Sequence, residues 1–100
     1  MAAITCTPTS PHARVDACRV DVTGADDNRA PSGTGGEYRY YLAFLLGGTE
    51  HGRSYEFNVS ASGGHAFNSF IFEDDGAWTV NLNDASSDSQ VATLAVTVQA

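Results

Sequence analysis

The chain has 100 residues, enough for one hydrophobic core and too few for two, so we predict a single domain over residues 1–100. Apolar residues make up 42% and charged residues 17%, a composition that excludes an intrinsically disordered chain. Twelve acidic residues against five arginines and no lysine give a formal charge of −7. Because the arginines are scattered, neither nucleic acid nor an anionic membrane is an expected partner.

Alternating apolar and polar residues predict the first two strands at 2–7 and 13–23. Val15 is out of phase with the inward residues that follow it, which indicates a bulge just after it, at Asp16-Ala17. Cys6 and Cys18 lie on these two strands. A disulfide is possible if the strands are neighbours, but we predict two unbridged thiols, since a chain made in a cytoplasm stays reduced.

Two of the following segments are apolar on both faces. A long polar loop at 24–36 precedes the first of them, a predicted strand at 37–47, and the second is a predicted strand at 65–73. When both faces of a strand are apolar, one face packs in the core and the other needs a cover. Partner contacts are therefore predicted at Tyr41, Leu45, Phe67 and Ile71.

The remaining strands are predicted at 53–61, 77–83 and 90–99, with a small polar turn between the last two. No segment has helical periodicity. Seven short strands in about 100 residues predict an all-β fold, an immunoglobulin-like antiparallel β-sandwich. The residues expected to be buried together are Phe44, Phe57, Trp78, Val80, Leu82, Leu94 and Val96.

No residue pattern indicates an enzyme, a cofactor or a metal site. The three histidines have neither metal-ligand nor catalytic spacing, the two cysteines form no CxxC motif, and the acids form no calcium series. Tyr38, Tyr40 and Tyr41 with Arg39 leave three possibilities open, which are burial in the core, contact with a protein, and stacking on a sugar.

The segment DDGAWTVNLNDASSDSQVATLAVTV at 74–98 resembles the last two strands of bacterial and phage immunoglobulin-like modules, the group that includes PKD-like and invasin-like domains. The resemblance lies in a Gly, an aromatic residue and Thr-Val alternation, followed by a small polar loop and a final alternating strand. The positions of the cysteines and of the tryptophan differ from the antibody pattern. The resemblance implies a module of the kind found in phage decoration and accessory proteins.

The expected function is that of a non-enzymatic virion protein, a decoration or tail-associated subunit that contacts capsid or tail proteins, with copies of itself as a second candidate partner. The start MAAITCTPTS has no signal-peptide pattern, so the expected location is the virion, after synthesis in the host cytoplasm. The alternative is a carbohydrate-binding or adhesion module of a surface or secreted protein.

Overall fold

The computed structural model describes residues 2–25, 39–59 and 64–100. These residues form seven strands and no helix. The strands are β1 (Ala3–Thr7), β2 (Cys18–Thr23), β3 (Tyr40–Leu46), β4 (Thr49–Arg53), β5 (His65–Phe70), β6 (Gly76–Asp84) and β7 (Gln90–Val98).

Two antiparallel sheets pack face to face, which confirms the predicted all-β antiparallel sandwich of seven strands. One sheet has the order β1-β2-β5 and the other the order β4-β3-β6-β7. In the constant-type immunoglobulin arrangement the fourth strand joins the sheet of the first, second and fifth strands. Here β4 pairs with β3 instead, so both β4 and β5 are edge strands, one in each sheet.

The core lies between the sheets and is mainly aromatic at one end. Phe72 is fully buried and makes edge-on contacts with Phe70 and Trp78, at ring-centroid distances of 4.8 and 5.1 Å. Of the residues predicted to be buried, all but one lie in this core. Leu94 packs against it but stays half-buried.

The prediction of a fourth strand at 53–61 is wrong in its position. Gly47 and Gly48 both have positive φ, 59° and 84°, and they form a tight turn that starts β4 directly at Thr49. After β4 the Ser54 amide still donates to the Leu42 carbonyl of β3 at 2.8 Å. Phe57 then pairs with Tyr40, and the two residues exchange backbone hydrogen bonds of 2.8 and 2.9 Å. Residues 60–61 of the predicted strand lie outside the described residues.

The second predicted strand, 13–23, is also shorter than expected, since β2 begins only at Cys18. The residues before it do not bulge within the strand. They turn at Arg14, which has a φ of 64°, and Ala13 pairs with the end of β7 by donating to the Gln99 carbonyl at 2.7 Å. Val15 is out of phase for this reason and is 74% exposed.

A bulge in β5 explains why the segment predicted as a strand at 65–73 has apolar residues on both faces. Phe67 pairs with Val20 and Phe70 with Cys18, so two residues of β5 lie opposite one residue of β2. Ser69, within the bulge, has a φ of 65°. The extra residue turns both phenylalanines toward the core, and β5 ends at Phe70.

Cys6 and Cys18 are unbridged and buried side by side on the inner face of the three-stranded sheet. Cys6 pairs with Val20, two residues along β2 from Cys18. Burial, and then the neighbouring Cys18 thiol, raise the pKa of Cys6 to about 12. Since the thiolate is the reactive species, both thiols are protected in the folded protein.

We expect a thiol-labelling reagent to modify the folded protein only as fast as it unfolds, and to modify both cysteines at once in denaturant without reductant. Mass spectrometry of labelled samples over time measures this. Rapid labelling of folded protein would contradict the burial described here, and a denatured chain that resists labelling and is two mass units light would show a disulfide.

Replacing Trp78 by Ala should lower the free energy of unfolding by about 3–5 kcal/mol, because a large buried ring is lost from the aromatic end of the core. Urea denaturation measures the change. Val91→Ala is the matched control, since Val91 is 44% exposed, and its effect should stay within about 0.5 kcal/mol. Equal effects of the two substitutions would refute the proposed core.

Candidate functional site

In residues 2–25, 39–59 and 64–100, the sandwich has one closed side and one open side. On the closed side β1 lies against β7. On the open side are the two edge strands β4 and β5, and aromatic side chains fill the space between the sheets there. We call this group the aromatic seam, and it consists of Tyr55, Phe57, His65, Phe67 and Phe70.

The upper part of the aromatic seam is a tight cluster of four rings. His65 stacks on Phe57 with centroids 4.5 Å apart and planes at 23°, and Phe67 meets Phe57 edge-on at 5.0 Å. Tyr55 covers Phe67 at 5.1 Å, and its hydroxyl oxygen lies 3.4 Å from Nε2 of His65. Tyr55 is 66% exposed, so an aromatic ring held by its neighbours faces solvent here.

The lower part of the aromatic seam borders a pocket of about 250 Å³. Phe70 stacks on Phe44 at a centroid distance of 3.9 Å, and Trp78 lies beneath His51 with the two rings 5.6 Å apart. The Trp78 indole N–H donates to the backbone oxygen of Asp74 at 2.8 Å, which ties the acidic loop after β5 to the core. The pocket lining is completed by Gly52, Ile71, Glu73 and Asp74.

The structure separates the four predicted partner contacts into two pairs. Phe67 is half-buried in the aromatic seam, and Ile71 is 42% exposed at the pocket. Tyr41 and Leu45 lie on the outer face of β3, in the other sheet, where Leu45 is half-buried and Tyr41 is only 5% exposed. The two pairs therefore do not form one surface.

Tyr41 is covered by groups of this same chain. Its hydroxyl donates to Oδ1 of Asp88 at 2.7 Å, and the Arg53 guanidinium carbon lies 4.6 Å from its ring centroid. The hydrogen bond to Asp88 raises the pKa of Tyr41. Glu50 in turn holds Arg53, with 2.9 Å between Oε2 and Nε. The second apolar face of β3 thus has an intramolecular cover at Tyr41.

The tyrosines near the start of β3 form no open platform in the described part of the chain. Tyr40 is 2% exposed, and Tyr38 lies outside the described residues. The guanidinium carbon of Arg39 lies 5.4 Å from the ring centroid of Tyr40. The Nε atom of Arg39 lies 3.0 Å from a carboxylate oxygen of Asp84. Hydrogen bonds from Ser86, together with Arg39, lower the pKa of Asp84.

Two exposed residues of the open side, Tyr55 and His51, were not among the predicted partner contacts. Alternation with Phe57 and Val59 predicted Tyr55 to face inward, and His51 had no pattern around it. The only signal was the crowding of aromatic residues in the two segments that precede and follow 60–63. Residues 60–63 themselves lie outside the described ranges.

Comparison with protein families and with curated proteins finds no match for this chain. Over residues 2–25, 39–59 and 64–100, no helix is long and apolar enough to span a bilayer. The same residues contain no group of three His, Cys, Asp or Glu side chains placed to hold a metal ion.

His65 makes the stability of the aromatic seam depend on pH. Burial lowers the pKa of His65 below its ordinary 6.5, so the unfolded chain binds the proton more tightly than the folded one. Neutral His65 therefore makes its full contribution to the free energy of unfolding above pH 6.5, and this contribution is lost as the pH falls through the lowered pKa.

We expect the free energy of unfolding to decrease between pH 7 and pH 5, and to decrease less in His65→Gln. Urea denaturation at several pH values measures both slopes. His12→Gln is the control, since His12 is exposed beside the end of β7. A slope that disappears in His12→Gln and persists in His65→Gln would overturn the assignment.

Proposed function

We propose that this protein is a non-enzymatic accessory subunit of a virus particle, which binds a capsid or tail protein through the aromatic seam and Ile71. The observation that carries the proposal is the exposed aromatic surface on the open side of the sandwich. Tyr55 and Ile71 are 66% and 42% exposed, and Phe67 and Phe70 lie half-buried between them. Aromatic residues in rigid surroundings are typical anchors of protein interfaces.

The backbone of β5 adds a second means of attachment. Within the described ranges no strand pairs with the outer edge of β5, so its amide and carbonyl groups are available to a strand of another chain. Tyr55 and Phe67 adjoin this edge. A partner strand added to β5 would therefore lie next to the exposed rings, and backbone pairing would combine with apolar burial.

The virion setting rests on the resemblance of 74–98 to phage immunoglobulin-like modules and on the acidic charge of the chain. A formal charge of −7 disfavours binding to nucleic acid, so contact with the outer proteins of a particle suits this surface better than contact with the packaged genome. Copies arrayed on a repeating shell would each need only modest affinity, since multivalency increases the total.

One observation favours a carbohydrate-binding or adhesion module as the second candidate. The ring of Tyr55 is held by Phe67 and His65 and is 66% exposed, and a fixed, open aromatic ring can stack on a sugar. The two candidates differ in the expected ligand. A virion subunit binds particles that lack it, whereas an adhesion module is retained by a polysaccharide.

The test is rebinding of purified protein to phage particles assembled without this gene product, followed by sedimentation at low and high salt. We expect binding that persists at high salt, because apolar burial dominates the contact, and a Kd that rises at least tenfold in Tyr55→Ala and in Ile71→Ser.

Val91→Ser is the matched control, since Val91 is as exposed as Ile71 but lies on β7, on the closed side of the sandwich. It should bind like the unchanged protein. Binding that salt abolishes, or a loss in Val91→Ser equal to that in Ile71→Ser, would contradict the proposed surface. Retention on a polysaccharide column without binding to particles would favour the adhesion module.

A further inference from the structure

The pocket beside the lower part of the aromatic seam has the size of a single side chain. Its volume is about 250 Å³, below the roughly 300–1,000 Å³ that is usual for sites of small molecules and cofactors. Phe44, Phe70 and Trp78 line it with aromatic residues, and Ile71, which is 42% exposed, adds an apolar residue. The pocket is therefore suited to one flexible side chain with an apolar stem.

Among the ionisable residues that line the pocket, two are carboxylates and one, His51, is an imidazole. Glu73 and Asp74 are the carboxylates, and Asp75 follows them in the chain. In the described part of the chain, the ion pairs use other carboxylates, those of Asp21, Glu50 and Asp84. Arg14 donates to the backbone oxygen of Glu73 at 2.9 Å, and the ion pairs of the described residues do not include it.

We propose that this pocket receives an arginine side chain of the protein partner, an inference that rests on the proposed function. A guanidinium group is planar, stacks on aromatic rings and donates paired hydrogen bonds to carboxylates, and its aliphatic stem packs on apolar groups. The pocket offers each of these surfaces in one place. Lysine would satisfy the charge but not the planar stacking, so it should bind more weakly.

A titration of the full chain, labelled with ¹⁵N, tests the proposal without the particle. The probe is Nα-acetyl-arginine methyl amide, and the readout is the Trp78 indole N–H signal, which belongs to the only tryptophan. We expect a Kd on the order of 1 mM, as for one isolated anchor. The citrulline analogue, equal in shape but neutral, should bind at least tenfold more weakly, and the lysine analogue should lie between them.

Glu73→Gln and Asp74→Asn should each weaken arginine binding about three- to tenfold, because each removes one charge-assisted contact. Glu56→Gln is the control, since Glu56 is an exposed carboxylate that does not line the pocket, and it should change the Kd less than twofold. Equal binding of the citrulline analogue, an unshifted Trp78 signal, or tighter binding of methyl glucoside than of the arginine probe would overturn the proposal.

Tyr55→Ala separates this inference from the function on which it rests. Tyr55 does not line the pocket, so this variant should lose particle binding while its titration with the arginine probe is unchanged. A normal titration in a protein that never binds particles would remove the proposed function and leave the pocket chemistry standing. Particle binding that is unchanged in Glu73→Gln and Asp74→Asn would overturn the role of the pocket in the interface.

Discussion

The organisation of the open side depends on one irregularity, the bulge in β5. Two residues of β5, Asn68 and Ser69, lie opposite the single residue Arg19 of β2, and the left-handed conformation of Ser69 accommodates the extra residue. A regular strand would turn residues three apart to opposite faces. Because of the bulge, Phe67 and Phe70 both point inward, one to each part of the aromatic seam. Without the bulge, either Phe67 or Phe70 would turn outward, and that part of the aromatic seam would lose a ring.

The outer face of the four-stranded sheet and the open side of the sandwich differ in how far their apolar residues are covered. On the outer face, Arg53 and Asp88 cover Tyr41, so the ring of this predicted contact is already buried within the chain. On the open side the two edge strands leave the interior aromatic residues incompletely covered, and Tyr55 is fixed over them. Exposed rings that are held rigid lose little conformational entropy on binding, which is why this side suits a partner.

The sequence predicted the two strands β6 and β7 to within one residue at each end, since strict alternation marks a half-buried strand. It could not place β4, because TEHGR has no apolar residue and its position is set by the preceding Gly47-Gly48 turn. The spacing of Phe67 and Phe70 is compatible with a bulge or with two covered faces, and only the pairing with β2 distinguishes them. The pocket is formed by segments distant in sequence, so no local pattern indicated it.

Ring contacts of Phe67 and Phe70 in solution show directly whether β5 contains the bulge. Nuclear Overhauser effects between aromatic protons report ring pairs in close contact within one molecule. With the bulge in place, we expect Phe67 to contact Phe57 and Phe70 to contact Phe44 in the same spectrum, since the centroids of these ring pairs lie 5.0 and 3.9 Å apart. Observing only one of these two contacts would show that β5 alternates regularly, and it would contradict the bulge and the open side built on it.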